Sequence, residues 1–389
     1  MLHPAHLRPP ANMLSFQNTQ LALIHIPLHL YNNFLQAILQ LLLPTATCED
    51  SDDDSNGAVQ PPDGWDDEQI FINISVTPVE CSIVCSRKLV NELFVPVLDS
   101  LGSFSKSEVH ITTEDFVVMQ LDGEGLDADR RVLELTGPLA LAGISIFFIT
   151  SYYSDYILVP LRYRNRVTQA LEEKGLTFID STSSYMNPNH HSRKSSVPTF
   201  EVQPPGTPPP ATVSELQTRT FATLKRRNIV PTADCNVRLV RCGTRRDSQS
   251  NGCSNPAQDA LQLGFVKCLI SPPCPKFLSL TLADNEAPSL LIDHTLLSNF
   301  SPDVLMVSKD EHLVPITLDL RDLPAESTGI VCGVAGRLLG ETSEGFQKPV
   351  EMSYLSTALA GTVMVEEKEL DRAMDALRGV ENGVSLTLD

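Results

Sequence analysis

The sequence runs to 389 residues with 42% hydrophobic and 20% charged residues and a mean hydropathy of −0.03, which together exclude a wholly disordered chain and a polytopic membrane protein. Lys and Arg number 29 against 48 Asp and Glu, a net charge of −19 that opposes nucleic-acid or anionic-membrane binding through net charge. The single Trp argues against a stacking platform for single-stranded nucleic acid, so small cationic ligands and protein partners fit the composition better.

Residues 1–20 are expected to form a disordered N-terminus. The apolar segment 21–43 comes nearest to a membrane signal, but His25, His29, Asn32, Asn33, Gln36 and Gln40 interrupt it and Pro27 divides it, which is too polar for a bilayer span. No basic stretch abuts it and no small-residue cleavage pattern follows Leu43, so it is not a signal peptide. It reads instead as a short strand over 21–26 and an amphipathic helix over 28–42, with Phe34, Leu35, Ile38, Leu41 and Leu42 on one face. A solvated acidic insertion, 47–68, follows; its carboxylates lack the spacing of a calcium loop.

Phe71-Ile72-Asn73-Ile74-Ser75-Val76 reads as a strand and 81–85 as its hairpin partner. Residues 116–121 are another strand, Gly137-Pro138-Leu139-Ala140 opens a short helix, 144–149 and 156–159 pair as strands, and 167–174 is a closing helix capped by Gly175. The order strand, helix, strand, strand, helix, strand is the ferredoxin-like split unit. Ser and Pro dominate from about 181 to 215, which reads as a linker. The grammar then restarts, with strands at 236–240, 277–282 and 289–292 and a helix capped by Asn255 with Pro256 at its first position. Further strands follow at 318–320, 352–357 and 362–365, with Gly329-Ile330-Val331 as a turn or strand end and a closing helix over 370–377.

The second half thus repeats the first. The expected fold class is α/β (α+β), tandem ferredoxin-like units with antiparallel sheets and helices on one face. The units are 21–105, 106–182, 233–308 and 309–380, with a disordered linker at 183–232 and a tail at 381–389. Nine cysteines, with no Cys-x-x-Cys pair, indicate reduced thiols rather than a disulfide framework or zinc site. His190 and His191 have no acidic or thiol partner nearby, so no metal is expected. No Gly-x-Ser-x-Gly, P-loop, His-Glu-x-x-His or dinucleotide fingerprint occurs, so catalysis has no candidate residue and no cofactor is implied.

Gly137-Pro138-Leu139-Ala140, Ile144-Ser145-Ile146-Phe147 and the run from Ser151 to Val159, with their counterparts around Gly329 and Ser356, resemble the second and fourth ACT units of the CASTOR family. That resemblance implies a cytosolic arginine sensor of the TOR kinase pathway, with four ACT units and a homodimeric state. It implies a ligand between units 2 and 4, held by Glu134, Leu135, Gly329, Ile330, Val331 and Thr357. It also implies a GATOR-type partner complex met through Tyr152, Tyr153 and Asp155. The family's guanidinium-binding acid falls on Gly361 and a preceding aromatic on Ala358, while Glu134 stands where the family has a small hydroxyl residue. Two readings of Glu134 follow: an exposed acid at a strand end, or a group that reaches the ligand's cationic end from the opposite wall. The alternatives are a ligand-free scaffold and the regulatory subunit of an amino-acid metabolic enzyme.

Overall fold

The computed structural model describes residues 13–43, 70–122, 128–179, 210–244, 256–284, 286–307, 312–324, 327–340 and 349–379. The acidic insertion, His190, His191 and the tail at 381–389 lie outside them.

In the first unit, β1 (Met13–Phe16) and β2 (Leu21–Ile26) precede α1 (Tyr31–Leu42). Phe34, Ile38, Leu41 and Leu42 of α1 are buried, the stripe spacing that seats a helix on a sheet. β3 (Phe71–Val76) and β4 (Cys81–Ser86) form a hairpin. α2 (Arg87–Leu89) passes through a π turn at Val90–Phe94 into α3 (Val95–Ser100), then come α4 (Ser103–Glu108) and β5 (His110–Ile111). Unit 2 comprises β6 (Phe116–Asp122), α5 (Ala128–Leu141), β7 (Phe147–Thr150), β8 (Ser154–Pro160), α6 (Arg164–Glu172) and β9 (Thr177–Ile179). After α7 (Val213–Arg226) and β10 (Thr232–Ala233), unit 3 repeats unit 1 as β11 (Leu239–Thr244), α8 (Pro256–Leu269), β12 (Leu278–Ala283), β13 (Glu286–Asp293) and β14 (Leu305–Val307). Unit 4 is β15 (Leu313–Asp319), α9 (Ile330–Leu338), β16 (Ser353–Ser356), β17 (Ala360–Glu366) and α10 (Leu370–Arg378).

The units pair across the two halves. β3 joins β12 in an antiparallel register from Leu278↔Val76 to Ala283↔Phe71, giving one sheet in the order β5–β2–β4–β3–β12–β13–β11–β14. β7 joins β16 at Leu355↔Ile149, giving a second sheet, β9–β1–β6–β8–β7–β16–β17–β15–β10. Single bridges, Leu21↔Phe116 and Leu239↔Leu313, link the sheets at two corners, so the hydrogen-bond path closes on itself. Leu21, Phe71, Tyr156, Leu239, Phe277 and Met364 form a core shared by the two sheets. A separate core lies under the helices of each sheet. This is an α+β architecture with antiparallel sheets, each covered by helices on one face.

Two expectations need correction. Residues 13–16 are not a disordered N-terminus: β1 pairs with β6, Leu14↔Leu121 to Phe16↔Met119. Within 183–232, α7 and β10 are ordered, and β10 pairs with β15 just as β1 pairs with β6. α7 starts on Thr212, whose hydroxyl accepts the Glu215 N–H at 3.2 Å, while the Glu215 carboxylate accepts the Ala211 N–H at 2.9 Å, close to a capping box. The helix then lies on α9 along Gly329, Gly333 and Gly336; a Cβ at Gly333 would stand 2.8 Å from Thr220 Cγ2.

Candidate functional site

Where units 2 and 4 meet, a cavity of about 150 Å³ is lined by Thr136 and Ala140 of α5, residues 144–147 leading into β7, the loop before α9, residues 329–332, Tyr354, and the turn 356–360. None of the described residues lining it is charged.

Three features give this wall its chemistry. Gly329 takes φ +80° as the N-cap of α9, a left-handed conformation that glycine adopts without steric cost. Its carbonyl accepts the Gly333 N–H at 2.8 Å, so the N–H groups of Ile330 and Val331 have no carbonyl one turn back and carry the positive end of the helix dipole. Tyr354, 1% exposed, lies along the wall with its hydroxyl over Gly361, where a Cβ would collide with it. No described residue hydrogen-bonds that hydroxyl, and burial pushes the phenol pKa up, so it stays a neutral donor. The third feature fixes the turn. The Glu80 carboxylate, 0% exposed, accepts the Thr357 hydroxyl and the Leu359 N–H, each at 2.6 Å, and stands 2.5 Å from His25 Nδ1. The Ala358 N–H donates to Ser82 Oγ at 3.3 Å. Unit 1 therefore bolts the unit 4 turn in place.

The expected ligand residues divide. Gly329, Ile330, Val331 and Thr357 lie on the cavity wall, though Gly329-Ile330-Val331 is a helix start rather than a turn or strand end. Glu134 and Leu135 do not lie there. α5 begins at Ala128 and runs through Gly137 and Pro138, so the Gly-Pro pair sits inside a helix instead of opening one. That phase leaves Glu134 exposed and turns Leu135 into the core. Glu80 and His25 escaped the sequence reading, since an acid in a hairpin turn reads as a turn former.

Of the residues expected to face a partner, Asp155 is buried and the two tyrosines are half-buried. Asp155 is 4% exposed and pairs with Arg131 at 3.3 Å; burial pushes its carboxyl pKa up and Arg131 opposes the shift. The Tyr152 N–H donates to Ser289 Oγ at 2.7 Å, and the Tyr153 hydroxyl donates to the Thr244 carbonyl at 2.5 Å. Both rings close over Gly243. The two tyrosines thus join unit 2 to unit 3, while Asp155 is buried within unit 2.

The two halves match bond for bond here. Ser151 N–H to the Ser154 carbonyl repeats as Thr357 N–H to the Ala360 carbonyl, both at 2.9 Å. Phe148 N–H to Ser356 Oγ and Tyr354 N–H to Thr150 Oγ1 are reciprocal. Asp155 thus corresponds to Gly361 and Phe148 to Tyr354.

An ACT domain model matches residues 111–173. That segment resembles an ACT domain. No curated protein matches the sequence. Among solved structures, an aspartate kinase from Synechocystis aligns at 10% identity and TM-score 0.31, covering 96% of this chain and 57% of that chain. This chain therefore spans little more than half of that enzyme's length. The regulatory subunit of aspartate kinase from Thermus thermophilus, in a ligand-free form, aligns at 13% identity and TM-score 0.27 over 42% of this chain and 98% of its own. Protein Atu0741 from Agobacterium tumefaciens aligns at 16% identity and TM-score 0.27, over 48% and 100%. Such scores add nothing to the fold already described. Among the described residues no group of three or more His, Cys, Asp or Glu is placed to hold a metal ion, and no helix is long and apolar enough to cross a membrane.

Proposed function

We propose that the protein is a non-catalytic amino-acid sensor that takes a small amino acid between units 2 and 4 and signals by protein contact. The observation supporting this is a cavity between two ACT-type units lined both by the start of α9 and by Tyr354, whose hydroxyl has no hydrogen-bond partner among the described residues. Helix N–H groups and a neutral phenol suit an α-carboxylate. Thr357, held by Glu80, keeps the facing turn in shape.

In the finer reading the protein is a cytoplasmic, homodimeric relative of the CASTOR sensors, acting on the TOR pathway through a GATOR-type complex. That reading rests on the sequence resemblance. Of its expected contact residues, Asp155 is buried and Tyr152 and Tyr153 are half-buried and bonded to unit 3, which leaves only the tyrosine rings partly open to such a complex. Thermal-shift measurement against the twenty amino acids tests the sensor reading. A rise with one ligand class, abolished in Gly329→Ala, is expected; silence across the set indicates a ligand-free scaffold.

A further inference from the structure

We infer that the pocket between units 2 and 4 selects an amino acid with an uncharged aliphatic side chain and rejects arginine and lysine. The inference rests on the amino-acid reading above and specifies its ligand. Ile144, Ile146, Leu320 and Leu323 supply aliphatic surface to the lining, and no described lining residue carries a charge; Ala325 and Glu326, in the same loop as Leu320 and Leu323, lie outside the described residues. A guanidinium or ammonium buried among these described side chains would lose its hydration and gain no carboxylate partner from them. A branched aliphatic chain loses nothing, and each CH₂ it buries gains about 0.8 kcal/mol of transfer free energy. The volume, about 150 Å³, lies well below that of drug-sized sites and suits a metabolite of amino-acid size.

The chain supplies its own comparison. In unit 2 the strand position equivalent to Gly361 is Asp155, and there the acid holds a guanidinium, that of Arg131. In unit 4 the acid is gone, and the Tyr354 hydroxyl stands over the bare backbone. The same fold, given an acid at that strand position, binds a cation; without it, the local chemistry is that of a neutral donor in an apolar wall. The ligand's carboxylate takes the Ile330 and Val331 N–H groups, and the Ser327 and Ser356 hydroxyls on the same wall offer oxygens to its α-ammonium.

Isothermal titration of the full chain with valine, leucine, isoleucine, arginine and lysine tests this, with Tyr354→Phe as the second protein and its thermal midpoint as the folding control. The expected result is binding of at least one branched aliphatic amino acid at least tenfold tighter than arginine or lysine, weakened about tenfold in Tyr354→Phe. Arginine or lysine binding as tightly as the aliphatic set would overturn the inference while leaving the sensor reading intact. Silence from the five would overturn it too, and the twenty-amino-acid screen then decides the sensor reading separately. Aliphatic binding that Tyr354→Phe leaves untouched would put the ligand in another place and overturn it as well.

Discussion

Gly329 is held by two independent constraints. Its φ of +80° disfavours any side chain, and a Cβ there would meet Leu216 Cδ1 at 2.9 Å. Gly329→Ala is expected to lower stability by about 1–3 kcal/mol, read from urea unfolding. Asp155 offers a test with a sign. Its carboxyl pKa is raised, so between the ordinary value of 3.8 and the folded value the native state holds more protons than the unfolded one. Its contribution to stability therefore falls as pH rises through that window. Relative to wild type, Asp155→Asn should gain stability between pH 4 and pH 7; a constant difference would refute the shift. Thiol chemistry is equally local. Burial pushes the Cys85 and Cys242 pKa values up to about 12 and that of Cys268 to about 11, whereas Cys235 is exposed. Iodoacetamide at pH 8 should label Cys235 in the native protein and the other three only after denaturation. At this scale the sequence pointed to Gly329 and Thr357 through the resemblance to the CASTOR units rather than through any local pattern, and both line the cavity. It misplaced Glu134, because a side chain's direction depends on helix phase, and Gly137-Pro138 hid that phase by looking like a start.

Between elements, the decisive contact runs from the β3–β4 turn to the turn after β16. Glu80 accepts two bonds from unit 4 and faces His25 within unit 1. Glu80→Ala strands the Leu359 donor and leaves the Thr357 hydroxyl only the Ala360 carbonyl at 3.2 Å, and should cost about 3 kcal/mol in chemical denaturation. Glu80→Gln keeps the accepting oxygen and should cost clearly less. Nothing in the local pattern announces a bond spanning 277 residues. α7, by contrast, did leave a signal: Thr212 and Glu215 at cap spacing, followed by Leu216, Thr220 and Leu224 on one face. The proline run ahead of it masked that period. β1 and β10, of four and two residues, are too short for any period to show.

For the whole molecule, the duplicated order of elements was readable, but the pairing of unit 1 with 3 and of 2 with 4 was not. β3 and β12 each alternate apolar with small polar residues, which reads as a strand half open to water. Those polar residues instead meet one another: Asn73 Nδ2 donates to Ser279 Oγ at 3.2 Å and to Thr281 Oγ1 at 3.0 Å, and Ser75 and Ser279 bond at 2.9 Å. Either half alone would bare the edge of β3 or β12 and one side of the shared core. Residues 1–209 and 210–389 should each aggregate when expressed singly and yield a soluble one-to-one complex when expressed together; a soluble, folded 1–209 fragment would contradict the interlocked arrangement. The seam is what a two-fold dimer of identical half-chains would make, and such a dimer must carry its recognition positions in identical pairs. In one covalent chain the two positions are free to differ. With Arg131 and Asp155 taking one position and Gly361 leaving the other bare, titration should saturate at a single equivalent per polypeptide along a simple hyperbola: an arrangement built as a pair answers once.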